Sequence, residues 1–218
     1  YYYAIVLPKN EKDAVALTHI SLLFLLTTTI LVALSVLFST PISMIFKSPN
    51  LAKYYWLMPL YVLIMGMWNV LNYWYIRKKS FGRISGYQMS QSILSAGGKL
   101  GLGYAGVLQG GMIYATVIAP FIALLSSLLL SFRKTLRPLL FFSKIDVLTQ
   151  ARVYRNFPCF VLPRSFINVL AGQLPVLLLT PFFGAKYVGL LSMAVLLAYT
   201  PIGTISRAIY QVLYQHTT

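Results

Sequence analysis

Long uninterrupted apolar runs, separated by short clusters of lysine and arginine, dominate this chain. A bilayer core roughly 30 Å thick is crossed by about 20 helical residues rising 1.5 Å each. Runs of that length lie at 18–40, 55–76, 85–108, 112–132, 159–183 and 187–209. Each predicts a spanning helix, because backbone facing lipid must satisfy its polar groups within its own segment. The shorter alternating strands of a membrane barrel are absent. The expected fold class is therefore all-α, a polytopic membrane protein with about six transmembrane helices.

The intervening polar segments set the order of the spans. The longest of them, 133–158, is basic and holds the single acid Asp146, so it predicts a loop between two helical bundles. The expected organisation is 1–132 as part of an N-terminal bundle with four spans, 133–158 as a basic inter-bundle loop, and 159–218 as the start of a C-terminal bundle with two. The second span carries aromatic clusters at both ends, Trp56 and Tyr73-Trp74-Tyr75, where amphipathic rings favour the membrane interface. Pro120, Pro175 and Pro201 fall inside spans and predict ordinary helix bending. Lys9, Lys12, Arg77, Lys78, Lys79, Arg83, Arg133, Lys134, Arg137, Lys144, Arg152 and Arg155 fall on one side of this topology. Only Lys47, Lys53 and Lys186 fall on the other. The positive-inside rule makes the first side cytoplasmic, and with it the N-terminal end of the chain.

Composition narrows the classes further. Of the 218 residues 58% are hydrophobic and 10% charged, against roughly a quarter charged in soluble domains. A soluble fold of this length could not bury so much apolar surface. The formal net charge of +15 would suit nucleic acid, but the bases are threaded between apolar runs rather than gathered on a polar domain. Membrane lipid and an anionic substrate are the better partners, with no nucleic acid. The single cysteine, Cys159, excludes an internal disulfide framework and a cysteine-based metal site, and is expected to be a small core residue. His19 and His216 have no acids or cysteines beside them, so no metal site and no catalytic set of nucleophile, base and orienter is expected, nor any cofactor. The chain opens Tyr1-Tyr2-Tyr3 without an initiator methionine and reads as an internal fragment of a longer protein.

Gly101-Leu102-Gly103-Tyr104-Ala105-Gly106 matches the dinucleotide fingerprint in letters alone. No strand precedes it and no acid follows about 20 residues on. Gly97 with Gly101, and Gly106 with Gly110, instead predict close helix packing. Charges inside spans are a sharper signal. Lys99 lies about 14 residues, or roughly 21 Å, beyond the cytoplasmic entry of the third span. Arg164 is a few residues into the fifth span, and Arg207 lies near the cytoplasmic end of the sixth. A cation near the bilayer centre costs roughly 3 kcal/mol on insertion scales, so it turns to a cavity, a partner or water, or snorkels to the interface. No acid lies within a span to pair with these three. Together with the uncharged polar residues Asn72, Gln88, Gln91, Asn168 and Gln173, they predict a cavity that accepts an anion bearing hydroxyls. A phosphate-bearing sugar lipid fits. The same amides also serve to join helices by hydrogen bonds.

Several stretches resemble one family. Tyr3-Ala4-Ile5-Val6-Leu7-Pro8-Lys9 followed by Glu11-Lys12-Asp13-Ala14 is similar to the loop after the second span of Wzx-type polysaccharide-repeat flippases. These belong to the multidrug/oligosaccharidyl-lipid/polysaccharide exporter superfamily. Asn72-Tyr73-Trp74-Tyr75-Ile76-Arg77-Lys78-Lys79-Ser80-Phe81, Phe157-Pro158, Gln173-Leu174-Pro175-Val176-Leu177-Leu178-Leu179, Phe182-Phe183-Gly184, Val188-Gly189 and Pro201-Ile202-Gly203 follow in the family's order. The resemblance implies spans three to eight of a two-bundle transporter in the inner membrane of a bacterium. The implied substrate is a polyprenyl-diphosphate-linked oligosaccharide, and Lys99, Arg164 and Arg207 are carried over as residues of a cationic cavity. Partner proteins implied alongside are a polysaccharide polymerase or a glycosyltransferase. Two alternatives stay open at this point: a cation-coupled multidrug exporter of the same superfamily, and a non-transporting membrane scaffold.

Overall fold

A computed structural model describes residues 1–45, 53–105, 110–131, 137–140 and 144–217. Every regular element among them is helical. A 3-10 turn at Tyr2–Val6 leads into α1 (Glu11–Ser35), which continues through Val36–Phe38 into α2 (Ser39–Ile45). Then come α3 (Leu57–Arg77), α4 (Phe81–Tyr104), α5 (Gly111–Ser131) and the short α6 (Lys144–Val153). A π-turn at Phe157–Val161 opens α7 (Leu162–Thr217), whose helical backbone is interrupted at Gly184.

Among the described residues helices occupy the bulk of each of the six expected spans, with 106–108 and 132 lying outside those residues. Glu11–Pro41, Gly111–Ser131 and Pro158–Gly184 are long and apolar enough to cross a membrane, and Lys186–Tyr199 is a shorter apolar helix. α3 and α4 have the length, at 21 and 24 residues, but dilute their aliphatic residues with Trp, Tyr and Asn in one and Ser, Gln and Gly in the other. The chain is an all-α polytopic membrane protein. Much of its apolar surface faces outward, including Leu23, Ile30, Leu31 and Leu34 on α1 and Phe121, Leu125 and Leu129 on α5. In a membrane helix that surface meets lipid, which is as apolar as leucine.

Two boundaries differ from the hydropathy reading. α1 begins at Glu11 rather than near 18, because its polar first turn is held from two sides. Asn10 donates through Nδ2 to Asp13 Oδ2 at 3.3 Å, and Gln150 on α6 donates to Asp13 Oδ1 at 2.8 Å. The two acids of this first turn, Glu11 and Asp13, also sit at the positive end of the helix dipole. The second difference is α6 itself, which forms inside the expected loop 133–158. It buries Val147 in the main apolar core and accepts a hydrogen bond from the Tyr1 hydroxyl at the Ala151 carbonyl, 3.2 Å. Residues 133–136 and 141–143 of that expected loop lie outside the described residues.

The best-buried core lies at this end of the bundle, where Ala4, Ile5, Leu17, Trp74 and Tyr75 are fully enclosed. Arg77, the last residue of α3, organises it. Its Nη1 donates to the carbonyls of Ile5, Val6 and Pro8 at 3.3, 3.5 and 2.5 Å, and its Nη2 to those of Lys9 and Asn10 at 3.3 and 3.1 Å. Where the chain passes from the 3-10 turn into α1 its carbonyls are poorly served by helix ladders, and one planar guanidinium donates to five of those at residues 5–10. Lys78 reaches Glu11 at 2.5 Å. That ion pair is partly exposed and adds at most about 1 kcal/mol. Basic residues placed on one side by the sequence, Lys9, Lys12, Arg77, Lys78 and Arg152, do gather at one end of the molecule.

Elsewhere α3, α4 and α5 are tied by aromatic residues. The Trp68 and Tyr87 rings stack at 3.3 Å with a 9° interplanar angle, and Tyr75 shares a hydrogen bond with Ser127 at 3.1 Å. Close approach of α4 to α5 runs through Gly98, where an added Cβ would stand 3.3 Å from that of Ala115. The expected contacts at Gly97 and Gly101 are not made: both meet open space, since the helix turns Gly98 to its partner instead. Gly106 lies outside the described residues. Gly110 does enter a contact, turning the chain into α5 at φ +89° against the Tyr54 ring. Cys159 is exposed rather than in the core, because the π-turn that holds it begins a helix with little packed against it.

Two outcomes follow for stability. Arg77→Ala should lower unfolding free energy in detergent by about 2–3 kcal/mol, with Arg77→Lys recovering part of the loss. Chemical denaturation followed by circular dichroism reads this, and an unchanged midpoint in Arg77→Ala would remove the organising role. Gly184 has φ 79° and ψ 163°, a region closed to residues with a side chain. Gly184→Val should therefore cost about 1–3 kcal/mol by the same measurement.

Candidate intramembrane cleft

The N-terminal 3-10 turn, α1, α3 and the start of α7 leave a cleft of about 480 Å³ between them. α1 contributes Ser21, Phe24, Leu25 and Thr28, and α3 contributes Tyr61, Val62, Met65, Gly66, Asn69 and Val70. Residues spaced by three and four fall on one helix face, which is why these two sets line one groove. Pro158, Val161, Leu162 and Ser165 form the third wall, and Tyr1, Tyr2 and Tyr3 close the end near the basic residues. Gly66 keeps the walls close, since any Cβ there would strike the Leu25 side chain.

Depth follows from helix rise. Asn69 is eight residues from Arg77, so it lies about 12 Å into the bundle from the basic end. Thr28 lies about 25 Å along α1 from Glu11. The cleft therefore occupies the middle of the helices. Polar atoms that face it carry free hydrogen-bonding capacity. Ser21 and Thr28 donate to the carbonyls of Leu17 and Phe24, each at 2.8 Å, which leaves their oxygen lone pairs as acceptors. The Asn69 amide and the Tyr61 hydroxyl make no hydrogen bond among the described residues.

At the closed end Tyr2, Tyr3 and Tyr73 form a ring cluster with centroid separations of 4.5, 5.1 and 5.4 Å, and Tyr1 lies against Phe24 at 5.1 Å. Burial, helped by the hydrogen bond with Tyr3, pushes the Tyr2 phenol above its ordinary range. The Tyr2 hydroxyl therefore stays neutral at physiological pH. Among the described residues no lysine, arginine, aspartate or glutamate lines the cleft.

The expected site residues are mostly elsewhere. Lys99 is exposed on α4 and lines neither this cleft nor the groove between α4 and α5. Arg164 is exposed beside the cleft-lining Ser165. The Arg207 side chain lies outside the described residues. Gln88, Asn168 and Gln173 are exposed and Gln91 is half-buried, and none of them lines the cleft. Asn72 is half-buried, and its Oδ1 is enclosed with no partner among the described residues. It sits one helical turn from Asn69. Sequence reading singled out Asn72 and passed over Asn69, although the spacing of three that puts both amides on one face was available.

A family model described as "polysaccharide biosynthesis protein" matches residues 3–217 of the chain. The chain belongs to that family. The match extends over nearly all of the sequence, in keeping with the resemblance to polysaccharide-repeat flippases. No curated protein matches the chain, and no solved structure does. For a member of a polysaccharide biosynthesis family, a mostly apolar cleft with one amide, several hydroxyls and aromatic rings at membrane depth is the relevant chemistry. Such groups can hydrogen-bond hydroxylated, uncharged matter and stack against its apolar faces.

Access of water separates a cleft from a lipid-facing groove. With Cys159 replaced by Ser, Ser165→Cys and Thr28→Cys should react with a membrane-impermeant maleimide in intact membranes, while Leu31→Cys, on the outward face of α1, should not. Equal inertness at positions 28, 165 and 31 would mean that the groove is filled by lipid.

Proposed function

We propose that this protein moves a polyprenyl-diphosphate-linked oligosaccharide repeat unit across the cytoplasmic membrane during surface polysaccharide biosynthesis. The observation that carries the reading is a membrane-depth cleft with unpaired amide and phenol groups in a chain of the polysaccharide biosynthesis family. Sugar hydroxyls are costly to bring into hydrocarbon, and a groove that offers hydrogen bonds lowers that cost. The polyprenyl tail stays in lipid alongside the outward apolar faces of the helices.

In this reading the chain acts within a two-bundle transporter of a bacterial inner membrane, and its basic end faces the cytoplasm, as the positive-inside rule asks. Residues 1–132 belong to one bundle and 159–218 to the other, joined through 133–158. Arg164, next to the cleft at Ser165, contacts the diphosphate, with Lys99 and Arg207 as further cationic contacts along the route. The work is translocation, with no covalent step and no cofactor. A polymerase or glycosyltransferase acting on the same lipid-linked unit is the natural protein partner. The lack of a carboxylate among the described lining residues favours this substrate over the organic cations of drug exporters.

Complementation tests the reading. The full-length protein should restore surface polysaccharide in a strain lacking its own repeat-unit flippase, and Arg164→Ala combined with Lys99→Ala should lower the yield at least tenfold at equal membrane abundance. Wild-type polysaccharide in the double variant would remove the cationic roles. Failure of the unaltered protein to translocate lipid-linked repeat units in reconstituted vesicles would overturn the function itself.

A further inference from the structure

The cleft separates two parts of the substrate that one cavity would otherwise have to hold together. Resting on the reading above, we propose that it is a saccharide subsite, in which Asn69 and Tyr61 bind the sugar while the diphosphate stays outside, toward Arg164. Chemistry assigns the occupant. A diphosphate is held by cations or by rows of backbone N–H groups, and the described lining residues include neither a lysine nor an arginine. A sugar presents hydroxyls that both donate and accept, together with a face of C–H groups.

The lining matches both features. The Asn69 amide offers two donors and an acceptor, all without protein partners among the described residues, and it is half-buried on the cleft wall. An amide at that depth has no reason to remain unpaired between spanning helices, where Asn commonly bonds across to a neighbour. Tyr61, two turns earlier on the same helix, adds an aromatic face and a free hydroxyl, and Phe24 and the Tyr1–Tyr3 cluster extend the apolar walls. Ser21, Thr28 and Ser165 supply acceptors around the rim. The volume, about 480 Å³, falls within the range of small-molecule sites and suits one or two sugar rings rather than a long glycan.

The experiment uses the full-length protein in lipid nanodiscs with two probes: the oligosaccharide repeat unit released from the host's surface polysaccharide by mild acid, and undecaprenyl diphosphate carrying no sugar. Isothermal titration should show that Asn69→Leu weakens the oligosaccharide at least tenfold and Tyr61→Phe several-fold. Asn69→Gln, which keeps the amide, should retain part of the affinity. Affinity for undecaprenyl diphosphate should be unchanged in all three, which also certifies their folding. Wild-type oligosaccharide affinity in Asn69→Leu overturns the subsite, as does an equal loss of both probes, or a cleft that takes up only lipid acyl chains. Oligosaccharide binding that depends on Asn69 in a protein that moves no lipid-linked unit in vesicles leaves the subsite standing and overturns the flippase reading alone.

Discussion

The Arg77 guanidinium holds together the end of the molecule on which the cleft depends. Between the 3-10 turn and α1 the chain presents a run of carbonyls that the helix ladders leave largely unserved. A single planar cation at the end of α3 satisfies five of them. This fixes the N-terminal segment against α1 and α3, and with it the three tyrosines that close the cleft. Arg suits this position better than an amide would, because its planar fork carries donors only.

Around that anchor, polar contacts concentrate where the helices end and aromatic contacts where they cross. Lys78–Glu11, Asn10–Asp13 and Gln150–Asp13 lie at one end, so α6 is docked against the start of α1 by hydrogen bonds and by Val147. Deeper in the bundle the joins are Trp68 on Tyr87, Tyr75 on Ser127 and the Gly98–Ala115 approach. Lipid provides no hydrophobic drive between helices, so close packing and interhelical hydrogen bonds do that work. The cleft is the interval these joins leave open, and its neutral, hydroxyl-rich lining follows from which faces of α1 and α3 are turned inward.

α7 stands in contrast. Its first part, Pro158–Gly184, is apolar along its length and hardly buried, and it touches the cleft only near its start. The backbone break at Gly184 needs a residue without Cβ, and the sequence supplies one right after two phenylalanines.

Much of this was legible in the sequence, and for one reason. Hydropathy and charge accumulate along the chain, so runs of apolar residues located the helices, the basic clusters located the end where they gather, and the gap between the runs 159–183 and 187–209 fell at the interruption in α7. Features that depend on residues far apart in the chain were not legible. Polarity hid the first turn of α1 and all of α6, because the groups that stabilise them, Asn10 and Gln150 around Asp13, lie more than a hundred residues apart. Helix phase decided the rest: a rotation of one residue set Gly98 rather than Gly97 against α5, left Lys99 facing outward, and turned Asn69 into the cleft while its neighbour Asn72 was enclosed beside it. Sequence by itself determined that this is a helical membrane protein of a polysaccharide biosynthesis family with one basic end. Only the tertiary structure decided which side chains share a cavity, because that is fixed by how helix faces meet across the bundle and not by the order in which their residues occur.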